Sequence, residues 1–571
     1  MKKIIILGAS EFNIPIISKA KEMGLYTIVL DINPDASGIK YADKFIQCSI
    51  KDVERVLKIA RQELPDGITV GITDSAVTTA AIVCDKLGLS CISPSIALVA
   101  TNKYQMIEAF RNYGVPHPQY KLINSLDQLN EISNFQYPLI SKPVDMASSK
   151  GINLINSKEE LVGCIKQSMS ISESGTVLLE EYMKGPEVSV ELIVIDGYPT
   201  VLQVTDKITT GAPHFIEIGH IQPSSLDLTI ITKIKDVACA AAKSVGLMNS
   251  IVHAEIIVTR DGPKMVELGA RMGGDAIQEQ LLELSTGINM PEASIRIALG
   301  ENIVVPKVSL HKASAIRFIQ SSEGIVSLVN GIDDAKKVRF VNQVKLYCKE
   351  GDSYEKAKDN TGRMGYVIAQ AEEPQEALKA CNDAIEAINI SFQTKESLRI
   401  NDIELVAVST DDYDTYYRFR CDPTDYYWNG YDQGPNYDNM KNLFNQRLWN
   451  SEMNEIGGKR IYLVKSYKDD IVDNIGFVML MKNEDGVEIG ITIIKEYQGK
   501  GLGSQTIPVA IKLAYRYGDS IYARIRDDNF ASQNIFKNYG FVYTEDIQDK
   551  LTPILCLKLR KWIYSHSSIM V

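Results

Sequence analysis

The stretch IVHAEIIVTRDGPKMVELGARMGGD, Ile251 to Asp275, constrains this chain more than any other. Apolar residues Ile256 to Val258 and Met265 to Val266 flank Arg260-Asp261-Gly262, so it reads as two strands joined by a tight turn. Loop length decides which side chains share a face. A two-residue Asp-Gly loop pairs Ile256 with Glu267 and puts Glu255 on the opposite face. A three-residue loop ending in a left-handed Gly pairs Glu255 with Glu267 and sets two carboxylates side by side. Unpaired, they repel. A hard divalent cation with oxygen ligands removes that penalty, and magnesium carrying a nucleotide phosphate is the usual case. The alternative is an ordinary hairpin with solvated glutamates.

At 571 residues the chain is expected to hold roughly three or four domains. Hydrophobic content of 45% and charged content of 23% are those of a soluble globular protein. A net charge of -11 argues against a nucleic-acid surface. Nine scattered cysteines, none spaced C-x-x-C, argue for a reducing, cytoplasmic setting and against a disulfide frame or zinc site. No run of about 18 apolar residues occurs, and MKKIIILGAS passes into a strand without a cleavable signal pattern, so no membrane partner is expected.

The first hundred residues alternate strand and helix, which predicts a βαβ unit with a parallel sheet. Gly8 stands alone and makes no G-x-G-x-x-G fingerprint. Asp31, at the end of LYTIVLD, reads as a strand-end capping residue rather than a ribose ligand. From Ala100 the pattern changes. TNKYQMIEAFRNYG is a helix with Lys103 in its first turn, and YPLISKPVDMASSKG puts Lys142 at a strand end before a loop of small residues that includes Ser148 and Ser149. Such residues let backbone N–H groups approach phosphate oxygens, and a lysine beside them adds charge. EEYMKGPE then sets Glu180 and Glu187 about a Gly-Pro turn. These carboxylates are either a solvated strand end or acceptors for adenine and ribose groups.

Lys103, S-K-P at Lys142, the small-residue loop, E-E-Y-M-K-G-P-E, H-A-E at Glu255 and V-E-L-G-A-R at Glu267 occur in that order. Together they resemble ATP-grasp enzymes over residues 1 to 390, nearest the carboxylate–amine ligases that include L-amino-acid ligases, with carbamoyl-phosphate-synthase-like proteins nearby. The resemblance implies that Lys103 and Lys142 hold phosphates beneath a lid containing Ser148 and Ser149. It places Glu180 and Tyr182 at adenine, Glu187 at ribose, and Glu255 and Glu267 on magnesium. Arg271 would stabilise an anionic tetrahedral state. The family usually has Asn two residues after the second glutamate; here that residue is Gly269. Glu217 and His220 lie in a loop-rich stretch where similar ligases hold a substrate amino group; a surface hairpin is the alternative. Gly273-Gly274 either offers N–H groups to an acyl phosphate or is a turn.

Polar SFQTKES, 391–397, is the expected linker. Beyond it a strand runs into Gln498-Gly499-Lys500-Gly501-Leu502-Gly503 and a long amphipathic helix. Glycines at a helix N-terminus bring N–H groups and the dipole onto a pyrophosphate. With NFASQNIFKNYGF downstream, residues 398 to 563 resemble GNAT acetyltransferases. The resemblance implies acetyl-CoA at Gln498, Gly499, Gly501, Gly503, Ser504, Asn529 and Ser532. Phe536 stands where many such enzymes carry a Tyr general acid. Glu488 is either a base acting through water or a strand-edge glutamate.

The expected architecture is α/β. It comprises a Rossmann-like pre-ATP-grasp domain (1–100), an α+β ATP-grasp domain (101–303), a C-terminal ligase lobe (304–390) and a GNAT domain (398–563). The expected function is bifunctional. One half is a ligase that joins a small-molecule carboxylate and amine, amino acids among them, through an acyl phosphate, with ATP and Mg2+. The other is an acetyl-CoA-dependent N-acetyltransferase. A carboxylating or carbamoyl-phosphate-synthase-like enzyme and a non-catalytic nucleotide-binding module stand as alternatives. A homodimer is left open.

Overall fold

The structure is a computed structural model. It describes residues 1–132, 135–146, 150–212, 214–357, 359–393, 397–429, 433–447, 453, 456–468, 471–548 and 558–564. Two compact units are present. One comprises 1–321, 330–347 and 356–389; the other comprises 322–329, 348–355 and 390–571.

The first unit opens with a parallel sheet in the order Lys44–Gln47, Tyr26–Asp31, Lys3–Leu7, Gly67–Val70. Unbroken apolar runs suit strands covered on both faces, and Ile4, Ile5, Ile6 and Leu7 are fully buried. Asp31 caps the sheet end as expected. Its carboxylate accepts from Ala9 N at 2.8 Å and Asn33 N at 2.9 Å.

A four-stranded sheet follows, ordered Tyr120–Ile123, Val177–Glu181, Leu139–Pro143, Asn153–Ile155. An eight-stranded antiparallel sheet forms the floor of the unit. It begins with Gly262–Gly269, Ser250–Thr259, Glu187–Ile195, Tyr198–Thr209 and Glu217–Gln222. Ala313–Gln320, Arg363–Ala371 and Val341–Leu346 complete it. Helix Leu228–Val245 lays Ile234, Ala238, Ala241, Ala242 and Val245 on this floor against Val190 and Leu192. The alanines on that stripe allow close approach, and each fully buried Val or Leu beneath it contributes about 1.5–3 kcal/mol.

The hairpin at the centre of the sequence reading has a register that neither expected loop gives. The turn is Arg260-Asp261, with Thr259 opposite Gly262 and Ile256 opposite Met265. Carried on regularly, this ladder would set Val266 opposite Glu255. A bulge absorbs one residue there instead, and Glu255 stands opposite Glu267. The expected pairing is present, with a different cause.

The second unit holds an eight-stranded sheet. Ser397–Ile400, Ile403–Ala407, Lys459–Lys468, Ile471–Asn483 and Gly486–Ile493 lead to Ile521–Arg526, Lys558–Tyr564 and Phe541–Gln548. Helix Leu502–Ala514 buries Ile507, Ala510, Ile511 and Ala514 on it. A small sheet of Ser353–Tyr354, Gly324–Asn330 and Asn389–Gln393 belongs here too. The expected linker is therefore a strand in its first part: Phe392 sits between polar neighbours, and that alternation suits a half-covered edge. Parts of 304–390 group with this unit for the same reason. Among the described residues no helix is long and apolar enough to cross a membrane.

Deleting Val266 removes the residue that the bulge absorbs, so the ladder runs on with Glu267 still opposite Glu255. This variant is expected to unfold in one cooperative thermal transition. Inserting an alanine after Val266 turns Glu267 to the core face and is expected to abolish that transition for the first unit. The reverse order of stabilities in thermal melts would count against the bulge.

Candidate active site

Charge balance organises the first unit's polar centre. Lys207, on strand Tyr198–Thr209, has a side chain only 3% exposed. Its Nζ lies 2.7 Å from Glu187, 3.0 Å from Glu217 and 2.9 Å from Glu255. Burial opposes its charge, but the three carboxylates hold its pKa well above the ordinary lysine value. Three residues expected at ribose, substrate and metal are thus brought to one ammonium. The strands set this up by alternation, since all four side chains rise from the same face of one sheet.

Glu267 pairs with Lys103 at 2.5 Å, so both expected metal carboxylates have cationic partners. Asn102 caps the helix that carries Lys103, accepting from Tyr104 N and Gln105 N, and fixes where the lysine starts. Lys142 pairs with Glu180 at 2.8 Å, both side chains buried. Burial pushes the Glu180 carboxyl above its usual range even with Lys142 beside it. Tyr182 donates its backbone N–H to Pro138 O at 3.3 Å, and its ring lies 6.2 Å from that of Phe215. Ser148 and Ser149 lie outside the described residues.

Behind Glu255 stands His253. Its Nε2 is 3.4 Å from Glu255 and its Nδ1 is 3.1 Å from buried Glu191. Burial lowers its affinity for a proton, but the two carboxylates win and raise the pKa to about 10. Gly273 is glycine because a Cβ would come 2.5 Å from the His253 ring. Its N–H is taken by Gln278 at 3.0 Å. A Cβ at Gly274 would meet nothing within 4 Å.

Glu217 and His220 form a second corner with Asp275. His220 Nε2 lies 3.6 Å from Glu217 and 3.5 Å from Asp275, and the three together offer ligand atoms within 4.8 Å of one another. Arg363 donates to Asp275 at 2.7 Å and to Glu217 O at 2.9 Å, and lies over the Phe318 ring at 3.8 Å. Burial opposes its charge, yet His220 and Arg363 hold Asp275 well below the carboxylate range. Arg271 grips Asp74 with two hydrogen bonds, Nε to Oδ1 at 2.8 Å and a terminal nitrogen to Oδ2 at 2.6 Å.

Lys207, Asp275 and His253 carried no signal of their own in the sequence. Asp74 and Arg363 lie 197 and 88 residues from their partners, and nothing local could announce them.

In the second unit Gly499 and Gly501 adopt left-handed φ of +75° and +78°, and Gly501 caps helix Leu502–Ala514. Gln498 folds back to donate to Ile493 O at 2.8 Å. Gly503, one residue before Ser504, has ordinary φ. Asn529 caps the later helix by accepting from Ser532 N at 3.1 Å. Strand Gly486–Ile493 pairs with Ile521–Arg526 at only two registers, Val487 with Ile521 and Glu488 with Tyr522, and the rest of its edge is left open there. Glu488 accepts two 2.8 Å hydrogen bonds from Arg524 and one of 3.2 Å from Asn483. Arg524 thus engages both carboxylate oxygens, as expected of a strand-edge glutamate held by its neighbours. Phe536 is core, and Tyr539 packs against it.

Comparison with known proteins agrees with this geometry. Residues 135–279 match the ATP-grasp domain, 317–393 the L-amino acid ligase C-terminal domain 2, and 402–542 the acetyltransferase (GNAT) domain. Alanine–anticapsin ligase of Bacillus subtilis is 28% identical over 39% of this chain and 52% of its own length, so the match spans about half of that relative. A formate-dependent phosphoribosylglycinamide formyltransferase of Sulfurisphaera tokodaii is 24% identical over 68% of this chain and 97% of its own. The L-amino acid ligase structure from Bacillus licheniformis shares the fold, with a TM-score of 0.62 at 19% identity, over 69% of this chain and all but 1% of that one, which is covered to 99%. The chain thus carries an ATP-grasp domain. It joins to that domain the C-terminal domain 2 of L-amino acid ligases and continues into a GNAT acetyltransferase domain.

Lys207→Met leaves Glu187, Glu217 and Glu255 without their shared cation. A loss of about 3 kcal/mol or more is expected, with Mg2+ raising the melting temperature of this variant more than that of the wild type. Equal Mg2+ responses would argue against a shared cation pocket. Glu488→Gln breaks a partly buried ion pair and is expected to destabilise the second unit by about 3 kcal/mol. Trp428, Trp449 and Trp562 are the three tryptophans, so fluorescence during urea unfolding reports this unit. An unmoved midpoint would contradict the structural role.

Proposed function

We propose that the first unit joins the carboxylate of one small molecule to the amine of another, using ATP, and that the second unit acetylates an amine from acetyl-CoA. The observation that carries the first part is the meeting of Glu187, Glu217 and Glu255 at Lys207, with Glu267 opposite Glu255 and held by Lys103. Ribose, substrate and metal groups, as the family resemblance assigns them, then lie within one side chain's reach of each other.

Glu255 and Glu267 are hard oxygen donors on one register pair, and they suit Mg2+. Bound there, the metal would supply positive charge to the phosphate oxygens in transfer. Lys103 and Lys142 are proposed to hold the phosphates, Glu180 and Tyr182 the base, Glu187 the ribose, and Ser148 and Ser149 the lid. The terminal phosphoryl group passes to the substrate carboxylate, giving an acyl phosphate and ADP. The amine nitrogen then attacks the acyl carbon, and the C–O bond to phosphate breaks. Arg271 faces the oxyanion of the tetrahedral state. Glu217 and His220 are proposed to hold a substrate amino group, and Gly274 to border the acyl phosphate. Likeness to alanine–anticapsin ligase and to an L-amino acid ligase supports amino acids as substrates. Likeness along nearly all of a formate-dependent formyltransferase supports a second reading, formate as the carboxylate.

For the second unit, the two left-handed glycines ahead of a helix N-terminus support pyrophosphate binding through backbone N–H groups. Gln498, Gly503, Ser504, Asn529 and Ser532 are proposed to border acetyl-CoA with them. The open edge of Gly486–Ile493 is suited to the extended arm of the cofactor.

A phosphate-release screen of amino acid pairs, with formate as a further carboxylate and mass spectrometry of products, tests the ligase. ADP and phosphate are expected, and stoichiometric pyrophosphate would overturn the acyl-phosphate route. Glu255→Gln or Glu267→Gln is expected to lower turnover by about 100-fold or more in a folded protein. For the second unit, Gly501→Val forces a branched residue into left-handed φ, whereas a Cβ at Gly503 meets Ile493 at an ordinary 3.8 Å. Calorimetry is expected to find acetyl-CoA affinity lost in Gly501→Val and largely kept in Gly503→Ala; unchanged affinity in the first would remove the acetyl-CoA reading.

A further inference from the structure

We infer that Asp74, from the N-terminal parallel-sheet domain, is the positioning residue for Arg271, and that position 269 is glycine to make room for their pair. The inference rests on the catalytic reading of Arg271 given above.

Asp74 is the first residue of helix Asp74–Leu87, and the helix N-terminus favours a carboxylate there. Burial opposes its charge, but the Arg271 guanidinium holds it below the usual carboxylate range. The two planar groups meet fork to fork, at 2.8 and 2.6 Å. A third hydrogen bond, from the other terminal nitrogen to Met272 O at 2.8 Å, fixes the plane of the guanidinium. A guanidinium has five N–H groups. Three are engaged here, which leaves one on each terminal nitrogen for an anion. The arginine is therefore held before substrate arrives, and its long side chain has little freedom left to lose.

Gly269 borders this pair. A Cβ built there would lie 3.2 Å from Arg271 Cζ and 3.2 Å from Asp74 Oδ1. The φ of Gly269 is not left-handed, so backbone conformation does not require glycine. The space is tight: a Cβ would make the clamp give by a few tenths of an ångström. Asparagine, the residue usual in the family, is larger still. In this chain that place beside Glu267 is given to a held arginine instead of a third oxygen donor.

A double-mutant cycle on the full chain tests this. Asp74→Asn is nearly isosteric and replaces one accepting oxygen by a donor. Phosphate release from MgATP with a mixture of proteinogenic amino acids is measured in the wild type, Asp74→Asn, Arg271→Ala and the double variant. ATP affinity is followed by calorimetry and folding by thermal melting. Asp74→Asn is expected to lower kcat about 30-fold while ATP affinity changes less than about threefold. In the Arg271→Ala background it is expected to cost nothing further in kcat. Gly269→Ala, which presses on the clamp without removing a charge, is expected to follow the same pattern at about threefold. A loss from Asp74→Asn that persists without Arg271, or one that tracks the melting temperature or ATP affinity, overturns the inference. Should Asp74→Asn not fold, the Gly269→Ala pair decides by the same comparison. Wild-type turnover in Arg271→Ala is a different outcome and would overturn the catalytic reading of that arginine.

Discussion

Buried negative charge is the constraint on which the first unit depends. Glu187, Glu217 and Glu255 converge on one face of the eight-stranded sheet, where isolated carboxylates would be costly. Lys207 makes the convergence tolerable by giving all three one partner at hydrogen-bond distance. Lys103 does the same for Glu267, Arg363 for Asp275, and His253 serves Glu191 and Glu255 together. The result is a site of alternating sign, in which a polyanion and a cation can each find complementary groups.

Geometry makes that balance possible. The sheet alternates its side chains, so Glu255, Glu187 and Lys207 share a face only while each strand keeps register. The bulge at Val266 brings Glu267 opposite Glu255. The parallel-sheet domain contributes as well: Asp74, which it carries, accepts two hydrogen bonds from Arg271, just beyond strand Gly262–Gly269.

The second unit obeys a different rule. Its candidate site is made of backbone, with left-handed Gly499 and Gly501 leading into a helix whose apolar face is core. Two of its buried carboxylates are paired with arginines. Glu488 is bound to Arg524, and buried Asp425 lies 2.7 Å from Arg420 and accepts from Thr492 at 2.8 Å.

Local pattern was enough for the parts that local physics controls. The apolar runs gave the parallel strands, TNKYQMIEAFRNYG read as the helix of Lys103, and the glycine loop led into the long helix of the second unit. Asp31 was legible as a cap because strand-end aspartates accept nearby N–H groups. The order of motifs was enough for the class of enzyme. The pairing of Glu255 with Glu267 was legible only as one of two registers, because loop length and bulge are settled by packing beyond the hairpin. The remaining contacts had no local sign. Lys207 lay in a stretch that read as loop-rich until three strands brought carboxylates around it, and Asp74 and Arg363 act across long chain separations. Sequence by itself determined the elements and the kinds of chemical group available, since propensity and periodicity act over a few residues. Which charges neutralise which was decided by the tertiary structure alone, because that depends on distances of a few ångströms between residues the chain keeps far apart.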